Sequence, residues 1–122
     1  VPPLAAMAAL RAGEATRIVN AERLRIKESD RLSAVTDVLS ALGAQVVERP
    51  DRLLIQGQRL LRGGAAVESH NDHRIAMMAA VSAAFAQAPV KLLGAECVRK
   101  SYPEFWDHFI QLGGEAHGLV LR

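Results

Sequence analysis

The sequence predicts an α/β fold, and two observations support this prediction. Segments with helical spacing of apolar residues alternate with short β-branched or leucine-rich runs, in the order helix, strand, helix, hairpin, helix, strand, helix. Each of the three later helical segments also begins with Ser or Asn among charged residues, at residues 28–31, 70–74 and 100–104. Such a recurrence is typical of related supersecondary units that repeat along the chain.

Length and composition favour one small domain, and the pI of about 9.1 favours small acidic ligands at least as readily as nucleic acid. The chain has 122 residues, half of them hydrophobic, which suits one domain with a modest core. The formal net charge is only +2, and no long block of like charge occurs. Aromatic residues make up 4% and do not alternate with the basic residues, so nucleic acid is not an expected partner.

Cysteine content and hydropathy favour a cytoplasmic protein. The lone Cys97 cannot form an internal disulfide and leaves no Cys pair for zinc, so we expect a buried, inert thiol. The longest apolar-rich run, residues 75–86, is too short to span a bilayer, and no signal-peptide pattern is present. The chain starts without Met and runs almost at once into an apolar segment, which predicts a piece of a longer protein.

The first half of the chain predicts two helices, a strand and a hairpin. Residues 4–10 are apolar on every side and predict a short helix with Gly13 as its C-cap, and residues 17–20 predict a strand. Helical spacing at residues 29–42 predicts a helix with Ser29 as N-cap and Gly43 as C-cap. Residues 44–48 and 52–55 predict a hairpin turned at 49–51, followed by a loop at 57–64.

The second half predicts two helices and one strand. Residues 72–86 carry almost no polar face, so this helix is expected to be buried on all sides. Residues 90–93 predict a strand. Ser101 and Glu104 form a capping-box pattern with Pro103 between them, which predicts a helix from Ser101 to Leu112 that Gly113 and Gly114 end.

Three charged segments precede or open predicted helices, and we expect them to converge on an anion. They are residues 27–31 (KESDR), 71–74 (NDHR) and 99–101 (RKS), termed here the first, second and third motifs. A helix N-terminus has unpaired N–H groups and the positive end of the helix dipole. The candidate cations are Lys27, Arg31, Arg74 and Lys100. Arg can hold a phosphate or carboxylate with two hydrogen bonds, so a ligand with several anionic groups is expected.

Glu28 and His73 are the candidate proton-transfer residues, because carboxylate and imidazole are the usual acid-base groups and both lie among cations. Structural roles remain open for each. Glu28 and Arg31 have the i, i+3 spacing of a surface pair, and Asp30 would complement the helix dipole. His73 could be a partly buried imidazole with its hydrogen bonds satisfied. Arg74 and Lys100 could be solvated surface groups.

A metal site and a nucleotide loop are both disfavoured. His70, Asp72 and His73 could ligate a metal, but their spacing crosses a predicted helix boundary and no third clear ligand lies nearby. The Gly pairs at 63–64 and 113–114 lack the spacing of phosphate-binding and dinucleotide-binding loops. The residues alone therefore disfavour a metal site and give no evidence for a bound nucleotide.

The motifs together resemble the C-terminal part of the 5-enolpyruvylshikimate-3-phosphate (EPSP) synthase family. The matching stretches are residues 24–31 (LRIKESDR), 71–77 (NDHRIAM) and 100–103 (KSYP), with the LGAxV pattern at residues 42–46 between them. The resemblance covers essentially the whole chain, but only roughly the last quarter of the family's sequences.

The resemblance implies transfer of the enolpyruvyl group of phosphoenolpyruvate to shikimate 3-phosphate with release of phosphate, by addition and elimination without metal or organic cofactor. Arg31, Arg74 and Lys100 would hold phosphoenolpyruvate, and Lys27 would contact shikimate 3-phosphate. Glu28, Lys27 and His73 would be the catalytic residues, with Glu28 in proton transfer. Asp72 would be a structural partner within its motif, and Arg23 departs from the polar residue that some members carry.

The implied fold is a two-domain protein, each domain an inside-out α/β barrel of repeated βαβαββ units with buried helices inside and sheets outside. Residues 1–122 would form a single partial domain of it. The longer protein is expected to be a monomer. The isolated chain is expected to be inactive and could self-associate through exposed apolar surface. Two alternative functions remain open. One is an enolpyruvyl transferase that acts on UDP-N-acetylglucosamine and shares this fold. The other, from a different functional class, is a non-catalytic anion-binding module.

Overall fold

The structure is a computed structural model that describes residues 5, 13–27, 29–58 and 61–114, with residue 100 described for its backbone only. The described residues form an α/β arrangement, as predicted. The strands are β1 (Ala15–Ile18), β2 (Gln45–Arg49), β3 (Arg52–Gln56), β4 (Leu61–Gly63), β5 (Ala66–Glu68), β6 (Ala86–Ala88) and β7 (Lys91–Leu93). The α-helices are α1 (Arg31–Ala41), α2 (His73–Ala83) and α3 (Phe105–Gln111), and the 3-10 helices are η1 (Glu22–Ile26) and η2 (Ala95–Lys100).

The strands form one antiparallel sheet and two short parallel pairs. In the sheet, β3 lies between β1 and β2, and its Ile55 faces Thr16 on one side and Val46 on the other. β4 pairs in parallel with β6, and β5 pairs in parallel with β7. The predicted hairpin at 44–55 is confirmed, with a two-residue turn at Pro50 and Asp51.

Helix α1 lies at the centre of the main core. Its buried residues pack with β3 on one side and with α2 on the other. The largest members of this core are Leu32, Val35, Leu39, Leu42, Leu53, Ile55, Leu61, Ile75 and Met78. Burying one such side chain contributes about 1.5–3 kcal/mol. This core therefore joins the three-stranded sheet to α1 and α2.

A second, smaller core lies on the opposite side of α2. It consists of Ala76 and Ala80 of α2, Cys97 and Val98 of η2, and Trp106 of α3. The predicted burial of Cys97 is confirmed, since the residue is 4% exposed. Because Ala76 and Ala80 are small, η2 can lie directly along α2.

Helix α1 confirms the predicted helix but corrects its N-cap. The helix begins at Arg31, and Asp30 is the N-cap, because its Oδ1 accepts the Ser33 N–H at 3.2 Å. Ser29 does not cap the helix, since its hydroxyl donates to Asp72 instead. At the other end Gly43 follows the C-cap Leu42 with a φ of +103°, as expected for a glycine that ends a helix.

Helix α2 is shorter and less buried than predicted. It ends at Ala83, because residues 86–88 leave the helix to pair with β4. The prediction that this helix is buried on all sides is wrong, because one face of it is exposed or half-buried. Arg74 and Val81 are exposed and Met77 is half-buried, whereas seven of the eleven helical residues are buried.

The last helix begins later than predicted. The capping box at Ser101 and Glu104 does not form, since the helix starts at Phe105 with no side-chain cap bond. Instead, the N–H groups of Ser101 and Tyr102 donate to the Val98 carbonyl at 3.2 and 2.7 Å and extend the turn of η2. The predicted end is confirmed, with Gly113 at a φ of +101°.

The other predicted elements vary in outcome. The strand at 17–20 lies two residues earlier, as β1, and the strand at 90–93 is confirmed as β7. The prediction of a loop at residues 57–64 is wrong at residues 61–63, which form β4. Strand β5 and the 3-10 helices were not predicted. The predicted helix at 4–10 lies outside the described residues apart from Ala5, which is helical and fully buried.

Candidate anion site

The first and second motifs meet at the side chain of Asp72, which is the N-cap of α2 and is fully buried. Its Oδ2 accepts the Arg31 Nε–H at 2.8 Å and the Ser29 hydroxyl at 2.8 Å. Its Oδ1 accepts the Arg31 Nη2–H at 3.3 Å and the Arg74 N–H at 3.0 Å. One carboxylate therefore joins the start of α1 to the start of α2, across about forty residues of sequence.

The Arg31–Asp72 contact is a buried, two-pronged ion pair. The Arg31 side chain is 9% exposed, and that of Asp72 is 0% exposed. Burial alone would raise the pKa of the Asp72 carboxyl, but hydrogen bonds from Arg31, Ser29 and the Arg74 N–H outweigh burial and lower the pKa. Asp72 is therefore ionised at neutral pH, and the pair fixes the plane of the Arg31 guanidinium.

The backbone before α2 adopts a rare conformation. His70 and Asn71 have φ values of +57° and +53°, a region that L residues other than Asn and Asp seldom occupy. Ser69, fully buried, holds this turn: its hydroxyl accepts the Asn71 N–H at 3.2 Å, and its carbonyl accepts the Asp72 N–H at 3.1 Å. Neighbouring contacts thus fix this strained turn and the direction in which α2 begins.

The 3-10 helix η2, which ends in the third motif, begins beside the turn that precedes α2. The C-terminal ends of β5 and β7 are adjacent, since Glu68 pairs with Leu93 in parallel register. The Ser69 hydroxyl donates to the Gly94 carbonyl at 3.0 Å, which connects the turn before α2 to the turn before η2. Gly94 has a φ of +76°, and a Cβ there would lie 2.5 Å from Ser69 Oγ, so no other residue fits without movement.

The predicted site residues fall into three groups. Arg31 is buried against Asp72, and His73 is 8% exposed, which agrees with a partly buried imidazole. Lys27 and Arg74 are exposed to solvent, and the Arg74 backbone N–H contacts Asp72. Glu28 and the side chain of Lys100 lie outside the described part of the chain; the backbone of Lys100 ends η2.

The structure also gives roles to residues that the sequence did not single out as contacts. Ser29 donates to Asp72 and so joins the two motifs, Ser69 and Gly94 fix the two neighbouring turns, and Arg25 anchors the segment before α1. Ser69 directly follows β5 and Gly94 directly follows β7. A Ser or Gly at such a position is the sequence signal that could have indicated these turns. Nothing in the local spacing indicates that Ser29 would bond to a residue 43 positions away.

Two other kinds of feature are absent from the described ranges. No group of three His, Cys, Asp or Glu residues there could hold a metal ion. No helix in the same ranges is long and apolar enough to cross a bilayer.

The chain is similar to known proteins along nearly its whole length. Residues 1–109 match the family model described as EPSP synthase (3-phosphoshikimate 1-carboxyvinyltransferase). A 3-phosphoshikimate 1-carboxyvinyltransferase from Clostridium acetobutylicum is 56% identical over 117 residues, which are 96% of this chain and 27% of the relative. A relative of the same description from Clostridium kluyveri is 53% identical over 94% of this chain and 26% of its own length.

Structural comparison gives the same result. An EPSP synthase from Acinetobacter baumannii superposes on this chain with a TM-score of 0.83 at 32% identity, covering 90% of this chain and 26% of that one. The chain thus spans about a quarter of the length of the relatives that it matches. The sequence match and the shared fold lead to one conclusion: the chain belongs to the EPSP synthase family.

Proposed function

We propose that this chain works as part of a 3-phosphoshikimate 1-carboxyvinyltransferase. In this reaction a hydroxyl group of shikimate 3-phosphate loses its proton and its oxygen bonds to C2 of phosphoenolpyruvate, while C3 gains a proton. Loss of a proton from C3 and of phosphate from C2 then gives the enolpyruvyl ether. Both substrates are anions, and the observation that supports the proposal is the junction at Asp72 of the motifs that carry Lys27, Arg31 and Arg74, in a member of this family.

The charge balance at the junction supports separate roles for the cations. Asp72 neutralises Arg31 and fixes its orientation, whereas Lys27 and Arg74 are exposed and add positive charge beside the start of α2. Arg31, Arg74 and Lys100 would hold the phosphate and carboxylate of phosphoenolpyruvate. Lys27 would contact shikimate 3-phosphate, and the positive end of α2 would favour both anions.

Proton transfer at C3 needs an acid-base group, and Glu28 is our candidate for it. Glu28 follows η1 and Lys27 and directly precedes Ser29, whose hydroxyl donates to Asp72. His73, buried at the first position of α2, would lie next to phosphoenolpyruvate. Asp72 would act as a positioning residue for Arg31.

The order of elements favours repeated units in a larger barrel. The order strand, helix, strand, strand occurs twice, as β1, α1, β2, β3 and as β5, α2, β6, β7. Helices α1 and α2 pack on each other, with the three-stranded sheet outside α1. We therefore propose that residues 1–122 form part of one domain of an inside-out α/β barrel.

A chimera tests the proposed function. In it, this chain replaces the matching segment of the Clostridium acetobutylicum relative, to which it is 56% identical. The purified chimera should release phosphate from phosphoenolpyruvate only when shikimate 3-phosphate is present, and mass spectrometry should detect the enolpyruvyl ether. The isolated chain should release none, because part of the proposed site would come from the rest of the protein.

Two controls separate the alternatives. Replacing shikimate 3-phosphate by UDP-N-acetylglucosamine should abolish phosphate release, whereas turnover of the UDP-sugar would favour the related transferase. A folded chimera that binds phosphoenolpyruvate by calorimetry yet makes no product, while the unmodified relative does, would favour a non-catalytic anion-binding module. Turnover by the isolated chain would contradict the proposal that the site is shared.

A further inference from the structure

We propose that Arg25 is a positioning residue: its contacts with Asp30 and the β2–β3 hairpin determine where the backbone of Lys27 lies, and Arg25 does not itself bind the anionic ligand. The kinetic part of this inference rests on the proposed function. The geometric part concerns only the described residues around Arg25.

One guanidinium joins three elements at this point. Arg25 lies in η1, and its Nη1–H groups donate to Asp30 Oδ2 at 2.9 Å and to Glu48 Oε2 at 2.7 Å. Its Nε–H donates to the Pro50 carbonyl at 2.8 Å, and Nη2–H donates to the Arg49 carbonyl at 2.7 Å. Arg25 therefore ties the N-cap of α1 to the β2–β3 hairpin.

The acceptors around Arg25 argue against a direct role in anion binding. Two carboxylates, Asp30 and Glu48, lie within hydrogen-bond distance of its Nη1. Hydrogen bonds to Glu48 and Asp30 raise the pKa of the Arg25 guanidinium. All three guanidinium nitrogens of Arg25 donate within the protein, and a phosphate at this position would be repelled by both carboxylates. Arg31 differs, because it donates to one carboxylate through Nε and Nη2.

The same contacts close a loop. Arg25 and Asp30 are five residues apart, and their ion pair brings together the two ends of residues 26–29. Asp30 also caps α1, and Glu48 accepts the Ser33 hydroxyl at 2.9 Å, so the base of the loop is connected to α1 twice. On the far side of the loop, Ser29 bonds to Asp72.

Burial does not hold the exposed part of this loop. Ile26 is 82% exposed, and Lys27 is exposed as well. Ordering an exposed segment costs conformational entropy, which apolar contacts of these two residues do not offset. The polar contacts at the base, with Arg25 at their centre, therefore determine where the Lys27 backbone lies relative to α1 and Asp72.

The test uses the chimera with Arg25→Ala, Arg25→Lys and Lys27→Ala, singly and as Arg25→Ala with Lys27→Ala. Arg52→Ala is the matched control, because Arg52 is an exposed arginine of the same hairpin that pairs with its neighbour Asp51 at 2.9 Å. Arg25→Ala should raise KM for shikimate 3-phosphate roughly 10- to 100-fold, as expected when a binding group is misplaced, and KM for phosphoenolpyruvate less than about threefold.

Three further results are expected. Arg25→Lys should recover part of the loss, since an ammonium can still pair with Asp30 and Glu48. The double variant should be no worse than Lys27→Ala alone, because Arg25 acts through Lys27. Arg52→Ala should resemble the wild type. Additive losses, equal losses for both substrates, or the same loss in Arg52→Ala would each overturn the inference.

A second measurement does not depend on turnover. Hydrogen exchange of the chimera should show faster exchange of the amides of residues 26–29 in Arg25→Ala, and unchanged exchange in Arg52→Ala. If the wild-type chimera turns over neither substrate, the proposed function fails while the exchange experiment still tests the loop. If Arg25→Ala does not fold, the same comparison is made with Arg25→Lys. Unchanged exchange at residues 26–29 would overturn the inference.

Discussion

Two Arg–Asp pairs in this chain have nearly the same geometry but lie in very different surroundings. Arg31 Nε lies 2.8 Å from Asp72 Oδ2, and Arg52 Nε lies 2.9 Å from Asp51 Oδ1. The side chains of the first pair are 9% and 0% exposed, and those of the second are 43% and 34% exposed. The first pair joins two helices, whereas the second joins neighbours in a turn.

The difference shows that burial and connectivity, and not distance, determine what an ion pair contributes. An exposed pair is screened by water and contributes little. A buried pair costs desolvation when it forms, but removal of one partner leaves an uncompensated charge in the interior. The Arg31–Asp72 pair therefore makes the position of the first motif dependent on the second motif.

The largest expected effect is that of Asp72→Ala in the chimera. It leaves Arg31 buried without its acceptor, together with the Ser29 hydroxyl and the Arg74 N–H, so the local free energy of opening should fall by about 3–5 kcal/mol. Hydrogen exchange of the α1 and α2 amides measures this loss. Asp51→Ala is the matched control and should leave the same amides unchanged. Equal effects of the two substitutions would contradict the comparison.

A pH titration sharpens the same comparison. The pKa of Asp72 is lowered on folding, so its stabilising contribution is present above the ordinary pKa of an Asp and is lost as the pH falls through the folded pKa. The thermal midpoint of the chimera should therefore decrease as the pH is lowered below about 4. The fall should be smaller in Asp72→Asn.

Asp51 is the control for this titration. Its pKa is also lowered, by the hydrogen bond from Arg52, but the pair is exposed. Asp51→Asn should thus leave the acid profile unchanged. A profile that shifts equally in both variants would show that the buried pair is not what acid disrupts.

Gly94→Ala should have the next largest effect. A Cβ at this position would lie 2.5 Å from Ser69 Oγ, and the positive φ is unfavourable for Ala, so we expect a loss of about 1–3 kcal/mol. Gly13→Ala is the control, because Gly13 has a φ of +79° with nothing within 4 Å of the added Cβ.

Both substitutions place Ala at a positive φ, but only Gly94→Ala also adds a steric clash. Urea titration monitored by exchange in α2 should show the larger loss for Gly94→Ala, since Ser69 fixes the turn before that helix. An equal loss for Gly13→Ala would mean that the contact between the turn before α2 and the turn before η2 contributes nothing to stability.

The smallest expected effect concerns binding. Arg74→Ala removes an exposed cation without disturbing the buried pair, since only the Arg74 backbone N–H contacts Asp72. It should weaken phosphoenolpyruvate binding roughly tenfold and shikimate 3-phosphate binding less, with the protein as stable as before. Calorimetry with each substrate makes the comparison. Equal losses for both substrates would count against the proposed role of Arg74.

The sequence predicted the parts of this site that local physics determines. Helical spacing at residues 29–42 and 72–86, together with polar residues at both starts, identified α1 and α2 and the motifs before them. Gly43 and Gly113 marked helix ends correctly, because positive φ is a local requirement. The α/β class followed from the same alternation.

The errors arose where distant contacts override local preference. Ser29 is a good N-cap by residue type, but its hydroxyl bonds to Asp72, and Asp30 caps the helix instead. Strands β4 and β6 have three residues each, and their parallel pairing determines them more than their own sequence does. The 3-10 helix η2 displaces the start of α3, although Ser101 and Glu104 have capping-box spacing.

The roles of the cations could not be separated from the sequence alone. Arg25, Arg31 and Arg74 each lie within three positions of an acidic residue, and only the fold shows that the first two are paired within the protein while the third is exposed. Such pairing depends on segments that are 23 and 41 residues apart.

A double-mutant cycle on Arg31 and Asp72 tests the central claim most directly, namely that this pair joins the first and second motifs. Hydrogen exchange of α1 and α2 amides would be measured in the chimera with Arg31→Ala, Asp72→Ala and both. The double variant should lose far less than the sum of the single losses, with a coupling energy of about 2–3 kcal/mol. Additive losses would mean that the two motifs are not joined through this pair.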